Sequence, residues 1–252
     1  MEVVGEFLGI DEDKAIWEFF KTHYLDFFPK IPCRTTFTRQ AANLWQYKQI
    51  LQDKIATRLG TLNDNIHIVD AFPIPVCKLA RASRNKLFKG EANIGYCATK
   101  KEYYFGFKGH LNISLNEVIS GSIFSKANVD DREAIYELTE GVKGLVIGDK
   151  GYIKADLKAE MKQYGILLET PLKDNMFDPR PKEHVQLLKK VRRKVETVIG
   201  QLVERFHIDT VWVRDMWHFT SRLFRKLLSH TVAFWLNRFS ENPLQFDKLI
   251  SY

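Results

Sequence analysis

From residue 11 onward, apolar side chains recur at steps of three and four. Ile16, Phe19, Phe20, Tyr24 and Phe27 fall on one stripe, which predicts an amphipathic helix capped by Asp11 or Asp13. Pro29 and Pro32 end it. A second helix is predicted over residues 36–59, carrying Phe37, Ala41, Leu44, Tyr47, Ile50, Leu51 and Ile55, with Gly60 as its stop. The period then changes. Residues 65–77 (NIHIVDAFPIPVC) are β-branched and bounded by prolines, so they read as a strand ending near Asp70 to Phe72. Residues 102–115 and 117–129 read as a second and a third strand, with a hairpin at Asn116-Glu117. A helix capped by Asp130 or Asp131 follows, then a buried strand in GLVIGDKGY, an amphipathic helix ending at Gly165, and a fifth strand in ILLETPL. The last helix of this series starts near Glu183. Its apolar positions Val185, Leu188, Val191, Val195, Val198, Leu202 and Phe206 step by 3, 3, 4, 3, 4 and 4.

The order from residue 63 is β-β-β-α-β-α-β-α, which predicts an α/β mixed sheet with helices on its faces. Three regions are expected: a small helical region over 1–62, the mixed α/β domain over 63–238 and a tail over 239–252, loose after Asn242-Pro243. Residues 207–238 are helical and rich in Trp, His and Arg. Trp212 and Trp217 are expected to pack, with base stacking as the alternative.

Composition narrows the class. The chain has 252 residues, 45% of them hydrophobic, enough for one sizeable core or a core with a small accessory domain. With 27% charged residues it reads as globular, not disordered. The formal charge of +7 points to a polyanionic partner, most simply nucleic acid, against the alternative of a solvated basic surface. Cys33, Cys77 and Cys97 form no CxxC pair and no zinc ladder, which fits structural thiols in a reducing compartment. The acidic opening MEVVGEFLGIDEDK does not read as a signal peptide, and no apolar run approaches the ~18 residues of a membrane span. An intracellular, cytoplasmic protein without a membrane partner is the expectation.

Three carboxylates stand at telling places in this order. Asp70 lies at the end of the first strand, Asp149 at the end of the fourth, and Glu196 inside the last helix. Sites collect at the carboxyl ends of strands in α/β sheets, and adjacent first and fourth strands would bring Asp70 and Asp149 side by side. Glu196 follows Val195 and borders the apolar stripe, so it can reach a cleft beside the core. Close carboxylates repel one another and persist together most easily around hard cations. Each residue also has a plainer reading. Asp149 before Lys150-Gly151 suits a turn or a helix cap, with Gly151 supplying the sharp turn. Glu196 has Arg192 at i−4 and Arg193 at i−3, an ordinary helix ion pair. Asp70 after Ile68-Val69 is harder to dismiss in this way.

These residues carry a resemblance. IVDAFPIPVC looks like the first-Asp strand of the DDE transposases of bacterial insertion sequences, VIGDKGY like their Asp-Arg/Lys-Gly-Tyr motif, and RRKVETVIGQLVERF like their final helix with its catalytic Glu. The separations are 79 and 47 residues, and the likeness runs from about residue 2 to residue 238. It departs from the pattern in a shorter N-terminal region, in Ala71 where Ser is common, and in Lys189 where some relatives place Tyr. The resemblance implies a ribonuclease-H-like fold and metal-dependent cleavage at element ends followed by strand transfer into target DNA. It also implies Asp70, Asp149 and Glu196 as catalytic ligands of two Mg²⁺ ions, for which Mn²⁺ can substitute. The partners implied are end and target DNA and a second copy of the chain on paired ends, in a bacterial, nucleoid-associated setting. Two other readings stay open: a ribonuclease-H-like nuclease without strand transfer, and an inactive DNA-binding remnant of a mobile element.

Two basic segments flank the proposed ligands. Residues 78–101, including Arg81, Arg84 and Lys86, have a balance of +6, and residues 180–196, including Arg192 and Arg193, have +5. Both are expected to contact phosphates, a solvated face being the alternative. Lys108 and His110 alternate onto one sheet face and are expected near a phosphate, His110 alternatively as a hydrogen-bonded, half-buried residue. Lys150 is expected to contact DNA or lie exposed. Arg192 is expected to orient Glu196 or hold phosphate.

Overall fold

The computed structural model describes residues 1–246 apart from Thr99 and Asp174. Four helices open the chain: α1 (Glu2–Phe7), α2 (Asp13–His23), α3 (Arg34–Asn43) and α4 (Trp45–Arg58). Then come β1 (Ile66–Lys78), the short α5 (Leu79–Ala82), β2 (Asn93–Cys97), β3 (Glu102–Ser114), β4 (Ile119–Lys126), α6 (Asp131–Leu138), β5 (Gly144–Ile147), α7 (Ala155–Gln163), β6 (Ile166–Glu169), α8 (Lys182–Glu204) and α9 (Met216–Phe239). The predicted helix over 36–59 is two helices broken at Leu44. Gly60 adopts a left-handed conformation, as a helix stop requires. α1, α5 and β2 were not legible in the residue pattern.

The described residues divide into two compact units. Ala56–Gly200 forms the first and holds the sheet. Its strands run in the order β2-β3-β1-β5-β6, with β4 also on β3. β1, β3 and β4 pair antiparallel, while β5 and β6 run parallel to β1. This is the mixed order of a ribonuclease-H-like sheet, with α5 and β2 inserted after the first strand. One face is closed by α6 and α7, where Val69, Ile135, Leu138, Val146, Tyr152, Leu157 and Met161 form a buried cluster. Each such side chain contributes roughly 1.5–3 kcal/mol through burial.

β1 is longer than expected and runs through Pro73 and Pro75. Its parallel pairing with β5 covers only Ile66–Ile68, so beyond that point one edge of β1 has no strand neighbour among the described residues. The Ala71 N–H donates to the Asp70 carboxylate and therefore points to that free edge. Pro73 and Pro75 lie two and four residues on and share its direction, where a missing N–H removes no ladder bond.

The second unit combines Met1–Ile55 with the described residues from Gln201. It is helical, with α1 and α3 packed on α9. The tail after Pro243 is anchored as far as it is described. Phe246 is buried and stacks on His230, and Asn237 donates to the Gln245 carbonyl. Residues 247–252 of the expected tail lie outside the described residues. Trp212 is exposed, not packed, and the half-exposed Trp217 donates to Asn43. No helix among the described residues is long and apolar enough to cross a membrane.

Candidate active site

A cleft of about 580 Å³ runs along the free edge of β1 and past the end of β5. Asp70, Asp149, Glu196 and Arg192 line it, together with Lys108, Asp131, Tyr96 and Tyr104. The three carboxylates singled out in the sequence thus share one cavity.

Their elements position them by simple means. Asp70 is fixed from below by the Ala71 N–H at 2.8 Å. Asp149 stands two residues past the end of β5, after Gly148, and precedes a single 3-10 turn, Lys150–Tyr152. Its side chain makes no capping hydrogen bond to that turn, so its carboxylate is not spent as a helix cap. The glycine that this corner requires is Gly148, not Gly151. A Cβ at Gly148 would lie 2.8 Å from the buried Tyr152 ring, whereas Gly151 is outside the left-handed region and a Cβ there would meet only Asp131 at 3.8 Å. Glu196 stands beside the buried Val195 on α8 and remains half-exposed.

Arg192, one turn before Glu196, bridges the group. It bonds one oxygen of Asp70 at 3.2 Å and one of Glu196 in a charge-assisted pair. Burial pushes the Asp70 carboxyl up to about 7, and the charges of Asp149 and Glu196 push the same way. The Ala71 N–H and Arg192 oppose them. The cleft thus gathers four carboxylates, Asp70, Asp131, Asp149 and Glu196, against two lining cations, Arg192 and Lys108. No three His, Cys, Asp or Glu side chains among the described residues converge tightly enough to chelate one ion as they stand. Arg192 occupies the position of counter-charge between two of the three. The donor set itself, three carboxylates with one strongly disfavoured as an anion, fits a hard divalent cation that prefers oxygen ligands.

The helix start at residues 130–131 resolves into two roles. Asp130 caps α6 by accepting from the Arg132 N–H, and Arg132 holds its carboxyl at about 2. Asp131 is then free to turn to the cleft, where it binds the Lys108 ammonium at 2.8 Å. The Val129 carbonyl accepts from the same ammonium. Asp131 was missed as a site residue because a carboxylate at a helix start reads as a cap. The signal that separates the two is the doubled Asp, of which only one can cap.

The expected DNA-contacting residues separate as well. Arg81, Arg84, Lys86 and Arg193 are exposed, while Lys150, Lys108 and Arg192 are partly buried, the last two lining the cleft. His110 is a correction. Lys108 and His110 do share one sheet face, but only Lys108 lines the cleft, while the His110 ring lies beneath it with the Asp131 carboxylate 3.7 Å away. There it is completely buried and bonded to Ser125, and burial pushes its ring down to about 4. It is a neutral core histidine out of reach of a phosphate.

The family described as transposase DDE domain matches residues 60–215. No curated protein matches the sequence. Among solved structures, the chain is similar to one described as a piggyBac transposase synaptic complex with hairpin DNA, seen by cryo-electron microscopy. The identity is 11% and the TM-score 0.47, over 74% of this chain and 50% of that one. The chain spans half the length of that relative.

Proposed function

The chain belongs to the transposase DDE-domain family, and from that premise we propose that it cleaves DNA at the ends of an insertion sequence and joins the freed strand to target DNA. The observation that carries this reading is the shared cleft of Asp70, Asp149 and Glu196, with the Asp70 carboxyl raised by burial and by its two neighbours. Domains of this family generally use divalent metal ions. Here Asp70, Asp149 and Glu196 would hold two Mg²⁺ ions, with Mn²⁺ as a substitute. When bound, the ions supply activation of the attacking hydroxyl and stabilisation of the leaving oxygen of a phosphodiester.

The chain's own side chains do the remaining work. The Ala71 N–H orients Asp70, and Arg192 orients Glu196 until a phosphate takes over its guanidinium. Lys108, steered by Asp131, offers its ammonium to a phosphate in the cleft. Arg81, Arg84, Lys86, Lys150 and Arg193 add backbone contacts that make binding salt-sensitive. A second copy of the chain, one on each paired end, completes the proposal.

The test is cleavage and joining of an element-end duplex in Mg²⁺. The intact chain is expected to do both, and Asp149→Ala neither. Joining that survives Asp149→Ala would remove the triad assignment. Cleavage without joining would leave a nuclease, and DNA binding without either would leave a remnant.

A further inference from the structure

Tyr96 and Tyr103 stand directly opposite each other on β2 and β3. They are 53% and 57% exposed, large values for aromatic rings inside strands. Their ring centroids are 4.9 Å apart and the planes meet at 53°. Tyr96 also lines the carboxylate cleft, followed along the strand by Cys97 and Ala98. The turn that joins the two strands carries Lys100 and Lys101, both exposed. An aromatic pair at the rim of an acidic cleft, flanked by two cations, combines a π surface with phosphate attraction.

Resting on the function proposed above, we propose that Tyr96 and Tyr103 form a stacking site for one unpaired nucleotide of the DNA held in the cleft. A base inside a duplex has both faces covered by its neighbours, so only an unpaired or extruded base can present a face to a side chain. The tilt between the rings lets a base lie flat on one while the edge of the other closes against it. Lys100 and Lys101 hold the adjoining phosphates. The site recognises the state of the strand and not its sequence, because every base has a π face. Its place at the cleft rim puts the unpaired nucleotide beside the reacting phosphate. A purely structural role for the pair is a cross-strand contact that steadies the β2–β3 hairpin, and the experiment separates the two.

Binding of a short single-stranded oligonucleotide containing 2-aminopurine, and of the same sequence as a duplex, is measured by fluorescence at fixed salt. Four proteins are compared with the intact chain: Tyr96→Ala, Tyr103→Ala, Tyr96→Phe and Tyr103→Phe. The alanine variants are expected to bind the single strand about tenfold more weakly and to lose the 2-aminopurine quenching, with duplex binding unchanged. The phenylalanine variants keep the ring and are expected to keep both. If the alanine variants bind the single strand like the intact chain, or lose single strand and duplex alike with a lowered melting temperature, the stacking site is overturned. The function reading stands in those cases so long as Asp149-dependent cleavage persists. If the intact chain binds neither form of DNA, both fall.

Discussion

In the helical unit, Arg225 is completely buried and meets Glu6 at 2.5 Å, Asp13 at 2.6 Å and the Asp11 carbonyl at 2.6 Å. Lys226 binds Glu6 and Asp11, Arg222 binds Asp13, and Lys48 binds Glu2, Ser221 and the Ala41 carbonyl. Four cations thus face four carboxylates. At the edge of β1, by contrast, Asp70, Asp131, Asp149 and Glu196 share a cleft with two lining cations, Arg192 and Lys108, of which Lys108 is held by Asp131. The titration of the two acids follows. Burial by itself would raise Asp13, but Arg225 and Arg222 overcome it and hold the carboxyl below its usual range. For Asp70, burial outweighs the Ala71 N–H and Arg192, and the carboxyl is raised to about 7. A balanced buried cluster is a structural joint, whereas the unbalanced one at the cleft is what the proposed metal-binding role would draw on.

The sharpest way to break the comparison is to remove one member from each side. Asp149→Ala is expected to lower cleavage by on the order of 10³-fold or more, about 4 kcal/mol of barrier, while the melting temperature holds. Arg225→Ala is expected to destabilise the helical unit by about 3–5 kcal/mol, since it leaves Glu6 and Asp13 buried without their partner. All five tryptophans, Trp17, Trp45, Trp212, Trp217 and Trp235, belong to that unit, so tryptophan fluorescence during urea unfolding reads it alone.

Acid separates the two clusters further. For Asp11 and Asp13 the folded value is depressed, so their stabilisation is full above about pH 4 and is lost as pH falls through the folded value. For Asp70 the folded value is raised, so the folded sheet unit binds the proton more tightly than the unfolded chain does. Its stability falls as pH rises from about 4 to about 7 and is level above that. Asp70→Asn is therefore expected to abolish cleavage and to stabilise the protein by about 1–2 kcal/mol at pH 8, with little gain at pH 4. Thermal melts across that range check it. The smallest effect expected is from Arg192→Ala: roughly tenfold weaker cleavage, and a salt dependence of DNA binding shallower by about one contact.

Much of the site was legible in the residues. An apolar strand that runs into Asp70, another that runs into Asp149, and a helical stripe with Glu196 on its border are one-dimensional signals, because burial imposes period 2 or 3.6 on the chain. β2 escaped notice because Asn93, Ile94 and Gly95 lack the alternation of a half-buried strand, and with it went the Tyr96–Tyr103 pair. His110 was misjudged for a related reason. Alternation groups Lys108 with His110 on one face but cannot say that Lys108 reaches the cleft while His110 is sealed in the core against Ser125, since that depends on what packs over each position.

By itself, then, the sequence determined the element types along most of the chain, the mixed sheet and the three carboxylates, since each rests on local periodicity and on residues near the ends of elements. Only the tertiary structure decided that Asp130 caps while Asp131 steers Lys108, that Gly148 and not Gly151 must lack a side chain, and that Arg192 bridges Asp70 and Glu196. It alone joined α9 to α1 and α2 through buried charges more than 200 residues apart, Arg225 to Glu6 and Asp13. Those outcomes depend on register, crossing and burial between distant segments, and pairings of that kind leave no period in a linear pattern.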